Sequence, residues 1–276
     1  DIKNLDVEDL CNKYNLKISK NKIECLYEAK NEILNNEGIK TLIHYRPFDF
    51  RKIYYTSKSN GCIGRPRYDI MKHFINRDNI GLIFPRQIAG GYGFEHGLVS
   101  NYIIDRTSGG AKTGSETYFA PLYIYEEVDT ATDFNFDEEC KPNFKATFLD
   151  FIKKYLNGSL LKSEDYPYKI LSYIYAVLYA PSYRSRYKED LKYDYPRIPF
   201  TDDSSLFSSI SSLGSALIDL HLLKKVPAPS SSYPVSGDDN IEFCKFEDNK
   251  IKINSSQYFD NISEEVYNYS IGGYKP

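Results

Sequence analysis

The chain has 276 residues and a mass of 31.9 kDa, with 41% hydrophobic, 26% charged and 15% aromatic residues, including 26 Tyr and 16 Phe. That is enough apolar material to bury a core without disulfides or metals, and it excludes both a disulfide-stapled mini-protein and a chain that is mainly disordered. The net charge of −3 argues against a nonspecific binder of polyanions.

The average hides an asymmetry. Residues 41–120 carry eleven Lys or Arg against six Asp or Glu, a net of +5, which leaves −8 for the rest of the chain. A basic region is flanked by acidic ones. There is no run of eighteen apolar residues, and the sequence starts with the charged stretch DIKNLDVEDLCNKYN, so neither a membrane span nor a signal peptide is visible. The expected compartment is the cytoplasm. Five cysteines, odd in number and without C-x-x-C spacing, agree with reduced, buried thiols.

In chain order, the first forty residues predict helices. Ile23, Leu26, Tyr27, Ala29, Ile33 and Leu34 mark one face, and Gly38 is the stop. From Thr41 to Tyr125 short apolar runs are cut by Gly, Pro, Asn and Asp: IYY, IGLIF, GLVSNYII and TYFAPLYIY read as strands. After the acidic linker EEVDTATDFNFDEEC, Phe144, Phe148, Phe151, Ile152 and Tyr155 return to helical spacing.

YKILSYIYAVLY is apolar nearly all round and predicts a buried helix. Pro181 breaks it, and SYRSRYKEDLKY is expected to continue as a basic, exposed helix up to Pro196. Leu206, Ile210, Leu213, Leu217 and Leu220 alternate steps of four and three, the clearest amphipathic pattern in the chain, and are expected in the core. VPAPSSSYPVSGDD reads as a loop, and IEFCKF, EDNK and KIKIN as a terminal hairpin followed by a tail.

Catalytic motifs are missing. GGYGFEHG lacks G-x-G-x-x-G spacing and leads into an apolar strand, and GGAKTGS has Ala111 where a P-loop needs Gly. His44, His73, His96 and His221 fall in no H-E-x-x-H or H-x-x-x-H pattern, and no G-x-S-x-G elbow occurs. What stands out is a set of residues suited to phosphates and base edges. Arg65 and Arg67 flank Pro66, Arg86 and Gln87 follow the strand IGLIF directly, and Lys112 sits in a Gly-flanked loop. Arg and Gln each offer paired hydrogen bonds that match guanine and adenine respectively. Against this stands the commoner fate of such an Arg, a surface ion pair or a packed structural residue.

Several phrases add weight. YRPFDFRKIYY (residues 45–55), GRPRYDIMKHF (64–74), NIGLIFPRQI (79–88), FAPLYIY (119–125), YIYAVLYAPSYRSRYKEDLKYDYPRIPF (173–200) and YSIGGYKP (269–276) resemble, in order and spacing, the C-terminal specificity region of single-polypeptide restriction-modification enzymes of types ISP and IIG. The resemblance runs from about Tyr45 to the C-terminus.

It implies a target recognition domain that partners double-stranded DNA and the methyltransferase and other domains of a parent polypeptide. The methyltransferase signatures, F-x-G-x-G and N-P-P-Y or D-P-P-Y, are absent, so S-adenosylmethionine is expected in the parent's methyltransferase and no cofactor or metal in this chain. In relatives the I-G-G-Y phrase commonly runs on into a basic, Trp-containing tail; this sequence stops at Pro276 and has no Trp.

The shared phrases are expected to be scaffold, with Arg46, Asp49, Arg51 and Arg197 structural, and specificity is expected from the loops near 57–67, 88–96 and 106–116. The expected fold is α+β: a helical lead-in to residue 40, a β-rich, mostly antiparallel reading part over 41–125, a helical part over 126–225, and a terminal loop, hairpin and tail over 226–276, all of which could form one domain. The expected function is noncatalytic recognition of a duplex DNA sequence, placing a separate adenine-N6 methyltransferase and nuclease. The expected contacts are Arg65, Arg67, Arg86, Gln87 and Lys112, with Arg184, Arg186 and Lys188 as weaker phosphate contacts. The alternative is a module that docks on the parent's other domains instead of reading DNA. A stand-alone enzyme using the cleft around residues 90–96 ranks last.

Overall fold

The computed structural model describes residues 4–16, 23–89, 93–95, 97–110, 112, 114–126, 140–156, 158 and 160–276. Most of the acidic linker, His96 and parts of both Gly-rich loops lie outside the described residues. The fold is α+β, with mostly antiparallel strands.

Helices α1 (Val7–Lys13) and α2 (Ile23–Leu34) lead in. The Asp6 carboxylate caps α1 by accepting from Asp9 N at 2.8 Å, and the Lys30 ammonium of α2 donates to Leu5 O. The apolar face read for α2 is only partly covered: Ile23, Leu26, Ala29 and Ile33 are half-buried. Tyr27 and Leu34 are exposed, and the buried residue is Glu32.

Strands β1 (Ile39–Arg46) and β2 (Asp49–Tyr55) form an antiparallel hairpin, Ile39 opposite Tyr55, with a register shift between His44 and Arg46. After the short helix α3 (Tyr68–Met71) comes β3 (Gly81–Pro85), the centre of a second sheet. GLVSNYII divides into β4 (Leu98–Ser100), which pairs with β3, and β5 (Ile103–Ile104), which pairs in parallel with β1. TYFAPLYIY likewise divides into β6 (Thr117–Pro121), beside β3, and β7 (Tyr123–Tyr125), which takes β8 (Cys140–Pro142) as partner.

The strand switch at residue 122 is stapled by Asn79. Its side-chain N–H groups donate to His73 O and Tyr123 O, both at 2.9 Å, and its oxygen accepts from Ile80 N and Tyr123 N. A buried amide with every group used fixes one geometry.

The helical part comprises α4 (Ala146–Tyr155), α5 (Tyr166–Tyr179), α6 (Pro181–Arg186), α7 (Asp190–Tyr193) and α8 (Ser204–His221). The expected single basic helix is thus two short ones, separated at residues 187–189. Helix α5 is buried along Ile170, Leu171, Tyr173, Tyr175, Val177 and Leu178, as its all-round apolar sequence predicts.

Helix α8 contradicts the reading of its leucines. Its buried residues are Phe207, Ser211, Gly214 and Ile218, while Leu206, Leu213 and Leu220 face outward. The cause is the closeness of α5: a Cβ on Gly214 would stand 1.8 Å from Ser172 O. Small residues let two backbones approach that closely; leucines would hold them apart.

The terminal hairpin, β9 (Lys245–Glu247) and β10 (Lys250–Lys252), turns through Asp248 and Asn249, both at positive φ. It gains a third strand, β11 (Tyr258–Phe259), before α9 (Glu264–Asn268). Ile271 of the tail returns to the core of the two N-terminal sheets. Ile80, Val99 and Leu122 share another core with Leu171, Tyr175 and Ile218, so residues on both sides of the linker pack together.

Candidate nucleic-acid interface

Strand β3 alternates buried and half-buried residues, and its Gly81 leaves room for the stacked rings of Phe74 and Phe119, 4.3 Å apart. A Cβ at 81 would stand 2.3 Å from the Phe119 ring. This packing aims the strand's exit. After Pro85, Arg86 and Gln87 are exposed.

Two hydrogen bonds hold the turn from behind. Ile88 N donates to Lys192 O of α7 at 3.0 Å, and Ala89 N donates to Ser115 Oγ at 3.1 Å. The second joins the turn to the loop that carries Lys112, which is itself exposed.

Arg86 stands on an aromatic platform. Its guanidinium lies 5.6 Å from the centre of the Tyr195 ring, and its Nε is 3.8 Å from Asp194. Tyr195 packs edge-on against Phe84 and Tyr118. The hydrogen bond with Tyr118, then burial, raises the Tyr195 hydroxyl pKa. At 3.8 Å and with both partners more than half exposed, the Arg86–Asp194 pair is weak and can yield to a stronger anion. Tyr193 and Tyr195, together with Tyr183, Tyr187 and Asp190, line an open cleft of about 540 Å³ next to this platform.

The loop 57–67 is anchored elsewhere. Its base is the Glu32 carboxylate of α2, which accepts from Thr56 Oγ1 at 3.1 Å and from Cys62 N at 2.8 Å. Tyr55 closes the far end by donating its hydroxyl to Pro66 O at 2.5 Å. Burial of Cys62, seconded by Glu32, pushes its thiol up to about 11, so it stays protonated at neutral pH. Arg65 and Arg67 are exposed on this loop, and Arg67 takes a left-handed backbone, φ 49°, at the start of α3. A side-chain-bearing residue in that region is held there by its surroundings.

The third loop begins at Asp105. Burial alone would raise its carboxyl, but bonds from the Thr107 N–H and hydroxyl and from Arg46 at 2.7 Å hold it low. Arg106 and Glu116 pair across the loop's ends.

The weaker candidates separate. Arg184 is half-buried: its Nε donates to Leu178 O at 2.6 Å and its plane covers the Tyr179 ring at 4.4 Å. Tyr179 in turn donates to Gly97 O. Arg186 and Lys188 are exposed. Of the residues expected to be scaffold, Arg46 pairs with Asp105 and Arg51 with Asp49, and both guanidiniums stack on Tyr45 at about 4 Å. Arg197 is exposed, while its carbonyl accepts from the Tyr183 hydroxyl.

The structure thus joins the Arg86–Gln87 turn to the Lys112 loop and to α7, and anchors Arg65 and Arg67 independently. The surface also contains Tyr118, Tyr193, Asp194 and Tyr195, which the sequence did not single out. The interleaving of Tyr with Asp and Arg in YDYPR is a signal that could have found the last three; Tyr118 carries none. Among the described residues no group of His, Cys, Asp and Glu is arranged to hold a metal ion, and no helix is long and apolar enough to cross a membrane.

The sequence model of the Type ISP C-terminal specificity domain matches residues 4–276. The chain belongs to that family. Three solved structures share its fold. The ATP-dependent Type ISP restriction-modification enzyme LlaBIII bound to DNA gives a TM-score of 0.65 at 20% identity, covering 97% of this chain and 18% of that one. The DrdV–DNA complex, seen by cryo-electron microscopy, gives 0.64 at 18% identity, covering 99% and 26%. A nuclease-deletion mutant of the Type ISP enzyme LlaGI in complex with a DNA substrate mimic gives 0.59 at 22% identity, covering 85% and 19%. The chain therefore spans about a fifth to a quarter of their length. No curated protein sequence matches it.

Proposed function

We propose that this chain reads the sequence of duplex DNA and thereby places a separate adenine-N6 methyltransferase, with its nuclease, at a target site. The observation that carries the proposal is the turn after β3. Arg86 and Gln87 leave a buried strand side by side, exposed, with the turn's backbone tied to α7 and to the Ser115 loop. A base reader needs that rigidity, because paired hydrogen bonds to a base edge discriminate only if the side chain is held in register. The matched structures are complexes with DNA or a DNA substrate mimic, which supports the partner.

In this reading Arg86 and Gln87 meet base edges in the major groove, Lys112 approaches from the loop tied to their turn, and Arg65 and Arg67 from the separately anchored 57–67 loop. Exposed Arg186 and Lys188 hold phosphates. Arg184 is instead structural, since its Nε donates to Leu178 O and its face covers the Tyr179 ring. S-adenosylmethionine and the methyl transfer belong to another part of the enzyme.

The experiment is selection from a random duplex pool at low and moderate salt, followed by sequencing of the bound fraction. Enrichment of a short asymmetric site, with affinity falling steeply as salt rises, is the expected outcome. Binding without enrichment would sink the proposal in favour of a docking module.

A further inference from the structure

Helix α8 has two apolar faces, and the fold uses one. Phe207, Ser211, Gly214 and Ile218 meet α5. Roughly 130° round the helix, at 3.6 residues per turn, Leu206, Leu213 and Leu220 are 47%, 71% and 41% exposed. Ile210 and Leu217, each partly packed against the core, complete steps of four and three. That is the spacing of a seam along which one helix pairs with another.

The surroundings of the seam are as unusual as its leucines. No charged residue occurs from 204 to 218. A helix facing water normally carries charges on its outer side. Here the outer side holds Ser205, Ser209, Ser212 and Ala216. The hydroxyls of Ser209 and Ser212 donate to the carbonyls of Ser205 and Ser208, one turn back, so this flank needs neither water nor a polar partner. A leucine row bordered by small, internally satisfied residues can be covered without stranding a polar group.

We infer that this seam is the docking face for an apolar helix from another region of the same polypeptide. Two observations choose that occupant over a second copy. The exposed part of the three leucines amounts to about one and a half fully exposed leucines, a small apolar core for the ~800 Å² of mixed surface per partner that stable contacts between separate chains bury; a tethered helix, present at high effective concentration, needs much less. The chain also covers only 18–26% of the matched chains, so in those proteins most of the polypeptide lies outside this fold. The uncharged flanks agree, because pairing between copies is usually set by charges beside the seam. The inference stands apart from DNA reading and does not rest on it.

Leu213 and Ile241 are equally exposed, at 71%, and provide an internal comparison. In hydroxyl-radical footprinting of the intact gene product without DNA, Leu213 should be oxidised several-fold more slowly than Ile241. The L213D variant, which changes a residue exposed in this fold, should bring Leu206 and Leu220 back towards the rate of Ile241. Equal oxidation of Leu213 and Ile241 in a monomeric product overturns the inference. So does a concentration-dependent dimer that L213D dissolves in sedimentation, since the occupant is then a second copy.

Discussion

The α5–α8 pair and the β3 sheet reach tight packing by opposite means. The helices rely on absence: Gly214, Ser211 and Ser172 keep side chains small where two backbones meet. The sheet relies on bulk, with the Phe74 and Phe119 rings closing over Gly81. The difference extends to function. A sheet with rings above its centre and long loops at its ends can change those loops freely, and the exposed Arg86, Gln87 and Lys112 are placed there. The helical pair tolerates no such variation at its contact, and its free surface is an apolar face instead of a set of reading side chains.

The sharpest way to break the comparison is Gly214→Val. With Ser172 O already 1.8 Å from where a Cβ would stand, α5 and α8 must separate, and thermal unfolding should show a loss of about 4 kcal/mol or more. The same substitution at Ser212, on the outer face, should change stability by less than about 0.5 kcal/mol.

Acid should weaken the helical pair and the neighbouring β1 sheet, each through one buried histidine. Burial pushes His44 in β1 and His221 in α8 down to about 4. His221 meets the Tyr175 hydroxyl through Nδ1 at 2.5 Å, while burial outweighs the Arg46 backbone and Asp49 around His44. Each folded-state pKa lies below the ordinary 6.5, so the unfolded chain takes up more protons as pH falls. Stability is therefore complete above about pH 6.5 and is lost progressively towards pH 4, by up to about 2 kcal/mol per histidine at pH 5. Urea unfolding at pH 7 and pH 5 measures it, and His44→Phe should flatten the dependence.

On the reading side, Arg86→Ala should relax preference at one base pair and cost about 1–3 kcal/mol of binding. An unchanged preference in a competition assay against single-base variants of the selected site removes Arg86 from the base-reading set. Glu32→Ala, which frees the Thr56 and Cys62 anchors, should alter preference only where Arg65 and Arg67 reach, with Glu32→Gln largely restoring it. Smallest of all, Lys112→Ala should weaken every sequence alike and lower the salt slope by about one.

Much of this was legible in the residues. IGLIF, TYFAPLYIY and YKILSYIYAVLY announced strands and a buried helix through their apolar runs, and the ordered phrases from YRPFDFRKIYY to YSIGGYKP announced the family. The reading of Arg46, Asp49 and Arg51 as scaffold fits the ion pairs and the Tyr45 stack they form. Other features were hidden for physical reasons. Strand β1 was missed because IKTLIHYR alternates weakly and pairs with a strand in front and with β5 nearly sixty residues on. Glu32 looked like one more helix-surface acid, and only the return of the 57–67 loop makes it a buried anchor.

By itself the sequence determined the kinds of element, their order, the basic region and the family. The tertiary structure decided which face of α8 is buried, which of the arginines are already engaged, and which tyrosines stand outside beside Arg86. The reason is geometric. Periodicity fixes the phase of apolar residues within one helix, but it cannot choose between two faces when one is built of leucines and the other of glycine and serine. That choice depends on how closely a second backbone approaches, and α5 supplies it. An arginine is likewise free or engaged according to carbonyls and rings that come from distant turns, as Leu178 O and Tyr179 do for Arg184.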